Sequence, residues 1–126
     1  MRYISHKPIY LQIAYDIVLK IKEGDIPKAS LLPSVRELSV IYEVTPKTIQ
    51  AVTKYLSDNG IIKVKPGVGS VITNDDKIVN NIHQSHARLI TSEYISQMKQ
   101  IKSTDEEIVK MIQLSLKEET CHDKNQ

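Results

Sequence analysis

The sequence predicts a mainly α fold with a small β-ribbon, namely a winged helix-turn-helix domain followed by a two-helix C-terminal appendage. Two closely spaced helix-start signals and a glycine-tipped hairpin predict it. Leu32-Pro33-Ser34-Val35-Arg36-Glu37-Leu38 opens one helix, Val44-Thr45-Pro46-Lys47-Thr48-Ile49-Gln50 opens the next, and Lys65-Pro66-Gly67-Val68-Gly69-Ser70 makes the hairpin tip. This order is a device for laying one short helix in the major groove of DNA.

The first helix runs from Pro8 to Glu23. Ile9, Ile13, Ile17 and Ile21, flanked by Tyr10, Ala14 and Val18, form the stripe of an amphipathic helix, and Gly24 ends it. A loop through Pro27 leads to Leu31 and Leu32. Ser34 followed three residues later by Glu37 is a capping box, in which the serine oxygen takes a free backbone N–H and the glutamate reaches back to another. That helix reaches about Tyr42. Glu43 then occupies the turn, where glycine is common because positive φ is easiest without a Cβ. Thr45 caps the next helix and Pro46 stands at its first position, where a missing N–H has no partner to lose. Asn59-Gly60 closes it. Leu38, Tyr42, Val44, Ile49 and Val52 fall where the two crossing helices bury side chains, with Ser39 the small residue at their close approach.

Ile61, Ile62 and Val64, then Val71 and Ile72, are strand formers on either side of Lys65 to Ser70 and predict a two-stranded wing. Thr73 to Asp76 caps a long helix reaching about Lys102, with Ile78, Ile82, Leu89, Ile90, Ile95, Met98 and Ile101 recurring at threes and fours. Thr104-Asp105-Glu106-Glu107 is a second capping box, opening a helix with Ile108, Met111, Ile112 and Leu116. From about Lys117 the chain is polar and expected to fray. The expected domains are residues 1–74, the winged helix-turn-helix, and residues 75–126, the dimerisation tail.

The chain has 126 residues, 40% hydrophobic and 25% charged, which suits one domain with an appendage. Its net charge of +2 hides an asymmetry. Residues 1–74 carry ten Lys or Arg against six acids, hence +4, and the remainder carries seven against nine, hence −2. The basic half is the half with the motifs. No apolar run of about 18 residues could span a membrane and no apolar signal segment opens the chain, so the expected location is the cytoplasm. Cys121 is the only cysteine, which excludes an intramolecular disulfide or a thiolate metal cage and leaves an exposed thiol. An enzyme is not expected: there is no activated nucleophile, no paired carboxylate in an apolar setting and no glycine-rich phosphate loop after a strand.

A helix, then Leu-Pro-Ser-x-Arg-Glu-Leu, then Val-Thr-Pro-x-Thr and a Gly-x-Gly wing, together resemble the GntR family of bacterial transcription regulators. Pro8-Ile9-Tyr10-Leu11-Gln12-Ile13 and the short helical tail resemble its YtrA-like subfamily, whose members dimerise through that tail. The match covers roughly residues 8 to 73 by motif, and the tail by length and helicity alone. The resemblance implies operator binding, usually repression, often of a neighbouring ABC transporter operon. The tail is too short for the large effector domains of other GntR branches.

By the same resemblance Arg36 stands where the family places a DNA-contacting arginine, and Lys47, Thr48 and Gln50 stand where it makes base and phosphate contacts. Lysine can reach guanine O6 or N7, glutamine can pair with adenine N6 and N7, and Ala51 could touch a thymine methyl. Many relatives carry arginine or asparagine in place of Pro46, Lys47 or Ala51, so the preferred bases do not carry over. Lys54 and Lys65 supply charge for phosphates, and Gly67 and Gly69 allow close approach of the wing. Val68 replaces a residue that is often basic. Ser34 and Thr45 are first of all caps, and Lys47 and Gln50 are also what any solvated helix face carries.

A two-helix appendage cannot bury its stripe alone, and two-fold reading of DNA favours a second copy as the partner. Ile78, Ile82, Leu89, Ile90, Met98, Ile101, Ile108, Met111 and Ile112 are the residues assigned to a homodimer. A small-molecule effector, if one is sensed, is expected where the tail helices meet the winged domain or each other. No cofactor is expected. Two alternatives stand beside this: a metal-responsive regulator using His83 and His86, with Glu93 on a similar face, and a winged helix serving as a protein-interaction module.

Overall fold

The computed structural model describes residues 1–4 and 6–124, with side chains described as far as Thr120. Five helices and one hairpin follow in the order α1 (Ile9–Glu23), α2 (Val35–Tyr42), α3 (Pro46–Asp58), β1 (Ile62–Lys65), β2 (Gly69–Ile72), α4 (Asp76–Gln100) and α5 (Asp105–Lys124). The chain divides into two compact units, Met1–His86 and Ala87–Gln126.

The core of the first unit forms where the period-four isoleucines of α1 meet α3. Ile13, Ile17 and Ile21 from α1, Leu38 from α2, Ile49, Val52 and Leu56 from α3, and Ile61 and Ile72 beside the hairpin are all essentially excluded from solvent. Each such side chain contributes roughly 1.5 to 3 kcal/mol. Ile9, expected in the same stripe, is exposed because it is the first residue of α1, a full turn before the buried face begins. Gly24 ends α1 at φ 88°, its N–H bonded to the Ile21 carbonyl.

The hairpin is antiparallel, with Ile62 opposite Ile72 and Lys65 opposite Gly69. It is not a bare two-stranded ribbon. Leu31 bridges Val71, the Leu32 N–H donates to the Ser70 carbonyl at 2.9 Å, and the Ile72 N–H donates to the Ser30 carbonyl at 2.9 Å. The segment expected to be a plain loop therefore gives the wing a third backbone, which ties it to the start of α2.

The division between the compact units falls after His86, inside α4. Roughly the first three turns of α4 belong to the first unit. Asp75 caps α4, its Oδ1 accepting from the Lys77 N–H at 2.9 Å. Val79 is then fully buried, and Ile78 and Ile82 pack partly against the same core. Ile78 and Ile82, assigned to a dimer from the sequence, are partly buried and pack against the core of their own unit. Lys22 donates to Asn80 Oδ1 at 2.9 Å, and Lys28 pairs with Asp76.

In the second unit, α4 stops at Gln100 and the chain turns at Lys102, which adopts φ 66°. Thr104 and Glu107 form the expected box: the Glu107 N–H donates to Thr104 Oγ1 at 3.2 Å, and the Thr104 N–H to Glu107 Oε1 at 3.0 Å. Those bonds, the backbone one first, hold the Glu107 carboxyl below the usual range. Ile108 is 5% exposed in the single chain. Leu89, Ile90, Ile101, Val109, Met111, Ile112, Leu114 and Leu116 are exposed. Instead of fraying from Lys117, α5 continues to Lys124, with no Gly or Pro to interrupt it. The Cys121 side chain lies outside the described residues. Among the described residues no helix is long and apolar enough to cross a membrane.

Candidate nucleic-acid interface

Two side-chain caps set the interface. Ser34 Oγ accepts from the Glu37 N–H at 3.1 Å while Glu37 Oε1 accepts from the Ser34 N–H at 3.4 Å, so α2 begins with both partners of the box in place. Thr45 Oγ1 accepts from the Thr48 N–H at 3.4 Å, and Pro46 opens α3. Between them Glu43 sits at φ 55°, a left-handed conformation that costs a residue with a Cβ roughly 1 to 2 kcal/mol. Behind α3, the Gly60 N–H bonds to the Ser57 carbonyl and the Ile61 N–H to the Leu56 carbonyl. This is a Schellman stop, and it delivers the chain directly into β1.

The contact residues stand out from this frame. Arg36 lies on the exposed first turn of α2, and Lys47 and Gln50 are exposed on α3, opposite the buried row of Ile49, Val52 and Leu56. Among the described residues these three side chains have no partner. Thr48 and Ala51 are half-buried, and the Thr48 hydroxyl lies 3.2 Å from Thr45 Oγ1, within the cap. Lys54 differs from the expectation of a free phosphate contact. It pairs with Asp58 at 2.9 Å, and that hydrogen bond raises its pKa. An acid one turn away at i+4 already answers its charge.

In the wing, the Val68 N–H bonds to the Lys65 carbonyl at 3.0 Å across Pro66 and Gly67, the residue order of a type II turn. Gly67 at φ 76° and Gly69 at φ 126° adopt backbone conformations that residues with a Cβ rarely take, and at Gly67 it is this φ alone that calls for glycine, because a Cβ there would meet nothing within 4 Å. Lys63 was not among the expected residues. It lies two positions before Lys65 on β1, so the two ammonium groups share the face opposite the buried Ile62. The alternation of Ile62-Lys63-Val64-Lys65 is the signal that identifies it. Because α3 packs on α2 and on β1, the two caps and the wing are held by one helix.

Polar and aromatic contacts fix that helix from behind. Tyr42 donates to Asp16 Oδ2 at 2.7 Å, and Lys20 pairs with Asp16 at 3.2 Å, which ties the end of α2 to α1. Burial first, then the bond to Asp16, pushes the Tyr42 phenol far above its usual range. Tyr55 on α3 meets Tyr15 edge to face at 6.1 Å, and burial followed by the bond to Tyr15 pushes its pKa up to about 12. His86 lies flat on Tyr15, and among the described residues no three His, Cys, Asp or Glu side chains form a group that could hold a metal ion.

Residues 9–72, just over half of the chain, match the bacterial regulatory proteins of the gntR family. The chain belongs to the GntR family. The HTH-type transcriptional regulator YhcF of Bacillus subtilis is 33% identical over 108 residues, covering 86% of this chain and 89% of that protein. The HTH-type transcriptional repressor YtrA of the same organism is 36% identical over 73 residues, 58% of this chain and 56% of YtrA. A GntR family transcriptional regulator from Listeria monocytogenes, solved structurally, superposes with a TM-score of 0.74 at 32% identity over 88% of this chain and 97% of its own. As a GntR protein the chain is a DNA-binding transcription regulator and not an enzyme. The winged helix and the helical tail are those expected of the family.

Proposed function

We propose that this chain is a homodimeric repressor that binds an inverted-repeat operator in the cytoplasm, with the GntR fold as its reading head. One observation carries the reading. Arg36, Lys47 and Gln50 are exposed and uncommitted at the starts of two helices that Ser34 and Thr45 cap by accepting from the Glu37 and Thr48 N–H groups. Lys47 and Gln50 address bases, Arg36 and the wing lysines address phosphates, and Gly67 and Gly69 let the wing backbone approach. Repression is supported by the relative named as the repressor YtrA. The dimer is supported by the exposed apolar residues of the second unit, Leu89, Ile90, Ile101, Met111 and Ile112 among them. Met98, half-buried, belongs to the same surface.

The proposed partners are double-stranded operator DNA, a second copy of the chain and a small-molecule effector, and the regulated genes are those of a neighbouring ABC transporter. The test is a gel shift with the DNA upstream of the chain's own gene over a range of salt. A retarded complex that weakens steeply with salt and resists random competitor supports the proposal. Equal affinity for operator and competitor sinks it.

A further inference from the structure

We infer that residues 1–4 form an anchored arm that presents Arg2 to a DNA phosphate beside the recognition helix, a second contact of the protein with the duplex outside the helix-turn-helix and wing. Three hydrogen bonds hold the arm. Tyr3 packs against the core and its hydroxyl donates to the Tyr42 carbonyl at 2.6 Å. The Gln12 side chain clamps Ile4 on both sides, accepting from its N–H at 2.8 Å and donating to its carbonyl at 2.9 Å, and also reaches the Lys7 carbonyl at 3.1 Å.

A short segment loses roughly 1 to 2 kcal/mol of conformational entropy for each residue ordered, so the bonds made by Tyr3 and Gln12 mark a segment kept in one place. The place is informative. Tyr42 is the last residue of α2, three residues before the Thr45 cap of α3, so the anchor lies at the turn that leads into the recognition helix. With Tyr3 turned onto the core, Arg2 is exposed and has no partner among the described residues. Its guanidinium offers a fork of donors matched to phosphate oxygens. Glu43, exposed in the same turn, is an acid that repels a phosphate, so a contact on this side needs a cation from elsewhere in the chain. Burial, with the Glu43 and Asp16 charges, raises the Tyr3 pKa and keeps its hydroxyl a donor.

The inference rests on the DNA-binding reading and is tested apart from it by measuring, for the full chain, how affinity for a random-sequence duplex depends on salt. Each neutralised phosphate adds ~0.9 to the slope of log affinity against log salt. Arg2→Ala should lower the slope by that amount with an unchanged melting temperature. Tyr3→Phe, which keeps the ring and removes only the donor, should lower it similarly although Arg2 is still present. Lys65→Ala serves as the control on the wing. If Lys65→Ala lowers the slope and Arg2→Ala does not, the arm makes no contact and the inference is overturned while DNA binding stands. If Arg2→Ala lowers it and Tyr3→Phe does not, the anchoring is refuted. If the wild-type chain shows no salt-dependent binding, both readings fall together.

Discussion

His86 stacks on Tyr15 with ring centroids 3.9 Å apart and planes 6° from parallel. Tyr15 meets Tyr55 edge to face, so a run of three rings joins α4 to α1 and α1 to the recognition helix α3. An aromatic pair is worth about 0.5 to 1.5 kcal/mol beyond its buried area. His86→Ala should therefore lower stability by about that amount, whereas His86→Phe should keep most of it. Urea unfolding of the two variants checks this, and equal midpoints for His86→Ala and wild type would show that the stack contributes nothing.

Glu43 offers a second check on the backbone. At φ 55° it occupies the position where a helix ending of this kind takes glycine. Glu43→Gly should be more stable than Glu43→Ala by about 1 kcal/mol, because only glycine escapes the left-handed penalty. Thermal unfolding of the pair measures it, and an alanine variant as stable as the glycine one would mean that the turn relaxes out of this conformation.

On the DNA side, Gln50 and Lys65 should separate specificity from affinity. Gln50→Ala is expected to cost about 1 to 3 kcal/mol at the correct site and to relax base preference. Lys65→Ala should weaken all sequences alike and lower the salt slope by ~0.9. Lys54→Ala should lower it by less, because Asp58 already answers that charge. A Gln50→Ala protein that kept full discrimination among operator variants would refute the assignment.

The features legible in the sequence are those whose partners lie within a turn of one another. Ser34 with Glu37, Thr45 with Pro46, Thr104 with Glu107, and Gly67 with Gly69 each determine a local backbone, and all four form as the spacing predicts. The Asp58 partner of Lys54 was equally local and was available at i+4. What the spacing could not reveal depends on distant chain segments. Leu31 finds Val71 only after two helices have folded between them. Val79 enters a core built by residues from Ile13 onward, which draws Ile78 and Ile82 into the first domain with it. Periodicity marks the apolar face of α4 but not where that face stops serving one body and starts serving another. The arm is hidden for a similar reason, because Tyr3 reaches a carbonyl 39 residues away.

Alkaline pH should expose the tyrosines that fix α2 and α3. Tyr42 and Tyr55 both have pKa values raised above the ordinary 10.0, Tyr55 to about 12, so the fold favours their neutral forms. The stability linked to them is fully present below the ordinary value and is lost as pH rises through that window, where the unfolded chain ionises and the folded one resists. Melting temperature should stay level from about pH 8 to about pH 10 and fall above it, and Tyr55→Phe should flatten part of that fall. A level profile up to about pH 11 would contradict the burial of both phenols.

The tail should make the dimer, and the dimer should make the affinity. Ile90 and Ile112 are exposed in the single chain, so replacing either by Glu leaves its fold intact while placing a charge on the surface proposed for the second copy. A buried isoleucine contributes roughly 1.5 to 3 kcal/mol and a two-fold interface loses it twice, so the dissociation constant of the dimer should rise by about a hundredfold or more. Ile78→Glu should behave differently and unfold the first domain, because that side chain packs on the core. Operator affinity should fall along with association, since two linked reading heads bind more tightly than one without any new contact. Sedimentation velocity and operator titration on the same samples decide the matter. If Ile112→Glu is monomeric at micromolar concentration yet binds operator undiminished, the tail serves some end other than pairing two recognition helices.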